Sequence, residues 1–268
     1  MLRKIFERKK PLIGMIHLLP LPGSPRFDEG GGLEAVIEHA VRDASALQTG
    51  GMDGLMIENF GDAPFFPGAV PPVTVASMTW VLAHLARKVK IPIGVNVLRN
   101  DVASALAIAS VSGARYVRVN VHIGAVVSDQ GVLEGRAHET LRLRSALGAG
   151  GVAVFADVAV KHAEPLGERP PLESEAKEAA ERGLADAIIL TGASTGSPGT
   201  PWEIRTVKAE IPGVPVLAGS GIETETLEEF LEVADGVIVG SSLKAEGRAA
   251  NPVDVARVRA FVKAAGRK

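Results

Sequence analysis

"VPVLAGSGIETETLEEF", residues 214–230, is the stretch on which the fold turns. A short β-branched apolar run stops at Gly219-Ser220-Gly221, and an acidic segment with helical spacing begins at once. The segment TLEEFLEVA (226–234) then gives way to GVIVGS from Gly236, a second apolar run that also ends in glycine and serine. Strand, helix and strand in so short a span read as a parallel pair joined by a helical crossover.

The same alternation extends back to the N-terminus. Apolar runs recur as PLIGMIHL from Pro11, GLMIENF from Gly54, PIGVNVL from Pro92, YVRVNVH from Tyr116, VAVFADVAV from Val152 and AIILTG from Ala187. Amphipathic stretches separate them, among them LEAVIEHAVRDASALQ (33–48) and VASALAIASV (102–111). The last is NPVDVARVRAFVKAA, with Asn251 expected as N-cap and Pro252 as first helical residue. Eight strand signals alternating with eight helix signals in 268 residues, with no linker or shift in composition, predict one closed α/β barrel. The expected fold is a single (β/α)8 (TIM) barrel over residues 1–268, with residues 1–10 a short closing helix.

The loops are unequal. Helix-to-strand connections are short, whereas LPLPGSPRFDEGGG, GDAPFFPGAVPP, IGAVVSDQGVLEG, HAEPLGERPP and GASTGSPGTP follow strands one, two, four, five and six. All of these long loops leave the C-terminal ends of strands, the face on which barrel proteins build their sites. Trp80 and the Phe65-Phe66 pair are expected to pack beneath the second of them, with a subunit interface as the alternative.

Composition narrows the function classes. An apolar fraction of 46%, a charged fraction of 22% and a net charge of −2 belong to an ordinary globular chain and give no basis for broad nucleic-acid binding. With no cysteine there are no disulfides, thiol nucleophiles or thiolate metal sites. The same lack, with scarce glutamine, leans toward a heat-tolerant source. There is no run of about eighteen apolar residues to span a bilayer, so the expected location is the cytoplasm. MLRKIFERKK is basic and places Leu2, Ile5 and Phe6 at helical spacing, which fits a helix closing the domain or, alternatively, one touching a membrane surface. Association with further copies of the chain is expected, as for many barrels.

Alternation along the strands assigns faces. In YVRVNVH, Val117, Val119 and Val121 face the helices, so Arg118, Asn120 and His122 point into the barrel. The same rule turns Asp157 and Lys161, Asn96 and Asn100, and Glu58 inward, while the face of His17 stays open. An internal network, with Arg118 paired to Asp157 or Glu58, accounts for any one of these alone. The whole set, converging beneath the long loops, points to a ligand site. Glu58 or Asp157 could move a proton, His122 could act as acid or base, and Arg118 could hold a carboxylate or phosphate. Lys161 could form a Schiff base if burial lowered its pKa, or be a solvated loop charge.

The opening stretch acquires a role in this frame. Gly219-Ser220-Gly221 and Gly240-Ser241-Ser242 end the seventh and eighth strands, where barrel loops and a helix N-terminus commonly hold phosphate. Gly192 and Ser194 extend the rim. The expected ligand is therefore a small phosphorylated molecule. No resident cofactor is expected; a divalent metal is weakly signalled by Glu58, His122, Asp157 and His162, which form no spaced ligand motif.

GMIHLLPLPGSPRF (14–27), IGVNVLRND (93–101), ARYVRVNVHIGAVVSDQGVLEG (114–135) and LAGSGI (217–222) resemble the BtpA/SgcQ family through nearly the whole chain. The resemblance implies a (β/α)8 barrel. It also implies one of two roles: a membrane-associated factor in photosystem I accumulation, for which the family is named, or an enzyme, since relatives outside photosynthesis are described as barrel enzymes or nucleosidases. It transfers no residue roles. An enzyme of lyase, isomerase or nucleosidase-like hydrolase type, acting by acid–base chemistry on a sugar phosphate or nucleoside derivative, is the first expectation. A non-catalytic assembly factor is the second.

Overall fold

The computed structural model describes residues 1–192 and 199–267. Its elements run in chain order β1 (Leu12–His17), α1 (Gly32–Gly50), β2 (Gly54–Glu58), α2 (Pro72–Leu85), β3 (Ile93–Asn96), α3 (Val102–Ser112) and β4 (Tyr116–Val119). Next come β5 (Ala125–Ser128), β6 (Gly131–Glu134), α4 (Ala137–Ala146), β7 (Ala153–Val158), β8 (Ala163–Pro165), α5 (Leu172–Lys177) and β9 (Ala187–Thr191). The chain closes with α6 (Pro201–Glu210), β10 (Val216–Gly219), α7 (Leu227–Val233), β11 (Val237–Val239) and α8 (Val255–Ala264). Eight parallel strands among the described residues close in the order β1-β11-β10-β9-β7-β4-β3-β2, and β11 returns to β1. The barrel is the expected one, and its eight strands lie within the eight apolar runs.

Strand alternation sorts two cores. Outward residues such as Val117, Val119, Val154 and Ala156 pack against the helices. Inward residues Ile13, Met15, Met56, Tyr116, Phe155, Ile189, Leu217 and Ile238 fill the barrel interior. Tyr116 stacks on Phe155 with ring centroids 4.9 Å apart and donates its hydroxyl proton to the Leu55 carbonyl at 2.6 Å. Gly94 makes room for that ring, because a Cβ there would lie 2.1 Å from Tyr116 Cε2.

The N-terminus closes the floor. Leu2–Lys4 forms only a 3-10 turn, and Leu2, Ile5 and Phe6 are buried in the interior cluster with Tyr116. Those side chains therefore have no apolar face to offer a membrane.

Several local expectations change. The loops after β4 and β7 are not structureless: β5 and β6 form an antiparallel hairpin, and β8 adds to β5 as a third strand. The final helix starts later than expected. Asp254, not Asn251, caps it by accepting from the Ala256 amide at 2.8 Å, because Val253 is held in an antiparallel bridge to Lys244. α7 begins at Leu227, six residues beyond Gly221, so the acidic segment does not turn helical at once. Trp80 lies on the outer face of α2, 56% exposed, rather than beneath the loop. Phe65 and Phe66 do line an apolar hollow of about 350 Å³ under that loop.

One ion pair ties the loop after β11 to the helical shell. Lys244 and Asp43 have fully buried side chains; Lys244 Nζ donates to Asp43 Oδ2 at 3.4 Å, and Asp43 Oδ1 accepts from the Val253 amide at 2.9 Å. Removing one charge of a buried pair strands the other, so Asp43→Asn should lower unfolding free energy by about 3–5 kcal/mol. Replacing both, Asp43→Leu with Lys244→Met, should cost clearly less. Urea unfolding of the three proteins measures the difference.

Candidate functional site

The C-terminal ends of the barrel strands enclose a cavity of about 50 Å³ lined by Met15, His17, Glu58, Phe60, Arg118, Lys161, Ser220, Gly221, Ile238, Gly240, Ser241 and Ala249. Sequence reasoning named seven of these as site residues: Glu58, Arg118, Lys161, Ser220, Gly221, Gly240 and Ser241. The strand period explains the first two. Arg118 is the inward neighbour of Tyr116 on β4, and Glu58 ends β2, opposite His17 of β1 in the parallel register.

Beneath the cavity lies a buried polar layer. Arg118 Nε and Nη2 donate to the two oxygens of Asp157, each at 2.9 Å. Asn120 Nδ2 donates to Asp157 Oδ2 at 2.8 Å, and Asn96 Nδ2 donates to Asn120 Oδ1 and to the Arg118 carbonyl, both at 3.1 Å. Burial alone would lower the Arg118 pKa, but the Asp157 charge and hydrogen bond more than offset it and move it up. Asp157, Asn120 and Asn96 thus hold Arg118 and do not themselves line the cavity. Asp157, with three side-chain donors on its carboxylate, is a fixed acceptor rather than a proton carrier.

His122 does not join the site. β4 ends at Val119, and the Val121 backbone is clamped by Asn100, whose Oδ1 accepts from the Val121 amide and whose Nδ2 donates to its carbonyl, both at 2.9 Å. Inward–outward alternation therefore stops. His122 packs outside the barrel and donates from Nε2 to the Gly183 carbonyl at 2.8 Å. Burial lowers its pKa, which fits a structural histidine.

The predicted anion seat is reduced to its central residues. Ser242 turns away and donates from Oγ to the Ile222 carbonyl at 2.8 Å. Gly219 is packed against Ile189 and Thr191 in the strand layer, and Gly192 is buried past the end of β9, outside the cavity wall. Ser194 lies outside the described residues. Among the described residues no α-helix begins at the seat: a 3-10 turn, Ser241–Leu243, follows β11. What remains is loop backbone and two hydroxyls. Ser220 has φ 67°, a left-handed conformation that costs a serine about 1–2 kcal/mol and that a glycine would adopt freely. Among the described residues the Gly221 and Ser241 amides find no backbone acceptor.

Across from the seat stand a histidine and a carboxylate. The His17 ring stacks on Phe60 with centroids 4.4 Å apart, and Nε2 lies 3.7 Å from Glu58 Oε1. A carbonyl can only accept, so the 2.8 Å bond from Nδ1 to the Ala249 carbonyl fixes the neutral tautomer with its proton on Nδ1. Nε2 then faces Glu58 as a base. Burial, against the raising effect of Glu58, lowers the His17 pKa to about 4. Lys161, just past β7, donates from Nζ to Ser220 Oγ at 3.2 Å. Burial and then Arg118 lower its pKa against the pull of Glu58 and Asp157. The sequence left the face of His17 open; its alternation with inward Ile13 and Met15 on β1 was the available signal, and Phe60 and Ala249, which lie beyond the strands, were missed.

Among the described residues no three His, Asp or Glu side chains gather as a metal site, and Glu58, His122, Asp157 and His162 are not brought together as one. No helix of the described residues is long and apolar enough to cross a membrane.

Because His17 stays neutral in the fold down to about pH 4 but titrates near 6.5 when unfolded, the unfolded chain binds the extra proton first. Its stabilising contribution is complete above pH 6.5 and is lost as pH falls toward 4, on the order of 1 kcal/mol per pH unit. Urea unfolding between those values should show that slope in the parent and a shallower one in His17→Gln.

The BtpA family model matches residues 8–267. The photosystem I biogenesis protein BtpA of Synechocystis sp. is 48% identical over 97% of this chain and 89% of its own. The sgc region protein SgcQ of Escherichia coli is 36% identical over 97% and 96%. Among solved structures, the native KDPGal structure superposes with TM-score 0.60 at 18% identity over 98% of this chain and 97% of that one. Phosphoribosyl anthranilate isomerase of Thermus thermophilus does so with TM-score 0.55 at 14% identity over 95% and 98%. At such identities the structures share the fold.

Proposed function

The chain belongs to the BtpA family, and we propose that it is an enzyme acting on a small phosphorylated metabolite by acid–base chemistry. The observation that carries this reading is the pairing, across one cavity, of a cationic and amide-lined wall with a proton-handling wall. Ser220, Gly221, Gly240 and Ser241 take the phosphate, with Arg118 supplying positive field. His17 Nε2 and the Glu58 carboxylate face the reacting end as adjacent bases, placed to take a proton from a carbon or oxygen of the substrate and to return it. A buried site closed by loop backbone and resting on a hydrogen-bonded polar layer keeps these charges in a low dielectric, which strengthens them. Isomerisation and bond cleavage are the reactions this set suits. The narrow cavity favours a short sugar phosphate over a whole nucleoside.

A second reading takes its support from the name of the Synechocystis relative: a non-catalytic assembly factor. The acid–base wall has no use in that role, and the N-terminal apolar side chains that would touch a membrane lie in the barrel floor. The enzyme reading is preferred on both counts.

Thermal unfolding with sugars and nucleosides, each with and without phosphate, tests the seat. At a hundredfold excess over the dissociation constant a ligand adds about 2.7 kcal/mol, so Tm should rise for phosphorylated short sugars only. Ser220→Glu should abolish the rise. A rise of equal size with unphosphorylated members would remove the phosphate assignment. For any substrate so found, Glu58→Gln should lower kcat at least a hundredfold.

A further inference from the structure

Lys161 is placed unlike a simple phosphate-binding cation. Its amine projects into the cavity from beyond β7 and reaches across to β10, where Ser220 Oγ accepts from it at 3.2 Å. Among the described residues it has no carboxylate partner at ion-pair distance; Glu58 and Asp157 act on it only from farther away. Two guanidinium groups flank it instead. Arg118 lines the same cavity, and Arg99 Nη2 donates to the Lys161 carbonyl at 2.5 Å. Burial and cationic neighbours both favour the neutral amine, the form in which lysine is a nucleophile.

We propose that Lys161 forms an imine with a short phosphorylated aldehyde or ketone. This rests on the phosphate seat above and adds the covalent step. The neutral Nζ attacks the carbonyl carbon; a C–N bond forms and the π pair moves to oxygen. One proton leaves nitrogen and one reaches that oxygen, with Glu58 across the cavity as carrier, giving a carbinolamine. Addition of a further proton to the hydroxyl lets the C–O bond break as water, while the nitrogen lone pair forms C=N. The balance is amine, carbonyl and one proton to iminium and water. The iminium then accepts the electron pair of a neighbouring C–H or C–C bond, and the His17–Glu58 pair handles the proton. A cavity of about 50 Å³ holds a few atoms, so carbonyl and phosphate must be close together along the substrate.

Borohydride fixation tests this on the full chain, with glycolaldehyde phosphate and glycolaldehyde as probes and peptide mass spectrometry as readout. Lys161 should be fixed at least tenfold faster than any other lysine by the phosphorylated probe, and inorganic phosphate should slow it. Lys161→Arg, shown folded by circular dichroism, should lose the fast adduct. Ser241→Ala, which leaves the Lys161–Ser220 bond in place, should slow only the phosphorylated probe. Fixation spread over surface lysines with no preference for Lys161 overturns the imine. Fast fixation of Lys161 by both probes alike, insensitive to phosphate, upholds the imine and overturns the phosphate seat.

Discussion

The Arg118–Asp157 pair is the constraint on which the upper half of the barrel depends. Two opposite charges stand inside a closed sheet, on adjacent strands β4 and β7, where either alone would be prohibitive. They are tolerated because the geometry is bidentate and because Asn120 supplies a third donor to the carboxylate. Asn96 then extends the layer to β3. The result is a rigid polar shelf above the aromatic floor of Phe6, Tyr116 and Phe155, and the cavity opens on that shelf.

This division gives the interior two functions. The floor excludes water and fixes the strands by packing. The shelf presents a guanidinium whose position cannot drift, and the groups around the mouth take their properties from it. Arg118 helps keep Lys161 toward the neutral form, while Lys244 adds to the burial that holds His17 neutral. The Lys244–Asp43 pair does the same mechanical service from outside, anchoring the loop that carries Gly240, Ser241 and Ala249 to α1. Strain is spent at one point of the rim: Ser220 keeps a left-handed backbone although glycine would sit there without cost. The hydroxyl that a glycine would lack is the one bonded to Lys161.

What the sequence determined by itself was whatever a short period encodes. The alternation of apolar and polar residues within each run, and of runs with amphipathic stretches, was enough to read the closed barrel, the face bearing the long loops, and the inward aim of Glu58, Arg118 and Asp157. It held only as far as the strands lasted. At β4 the period ends with Val119, so the same rule that placed Arg118 correctly misplaced His122. Tertiary structure alone decided which inward groups line the cavity and which are spent holding others. It also decided that His17 faces Glu58, that Ser242 turns away, and that a 3-10 turn rather than an α-helix follows β11. Those outcomes depend on partners 20 to more than 200 residues away, as with Ser242 and the Ile222 carbonyl or Lys244 and Asp43. Hydrogen-bond satisfaction between such distant groups is settled by the closing of the barrel, and no local pattern can carry it.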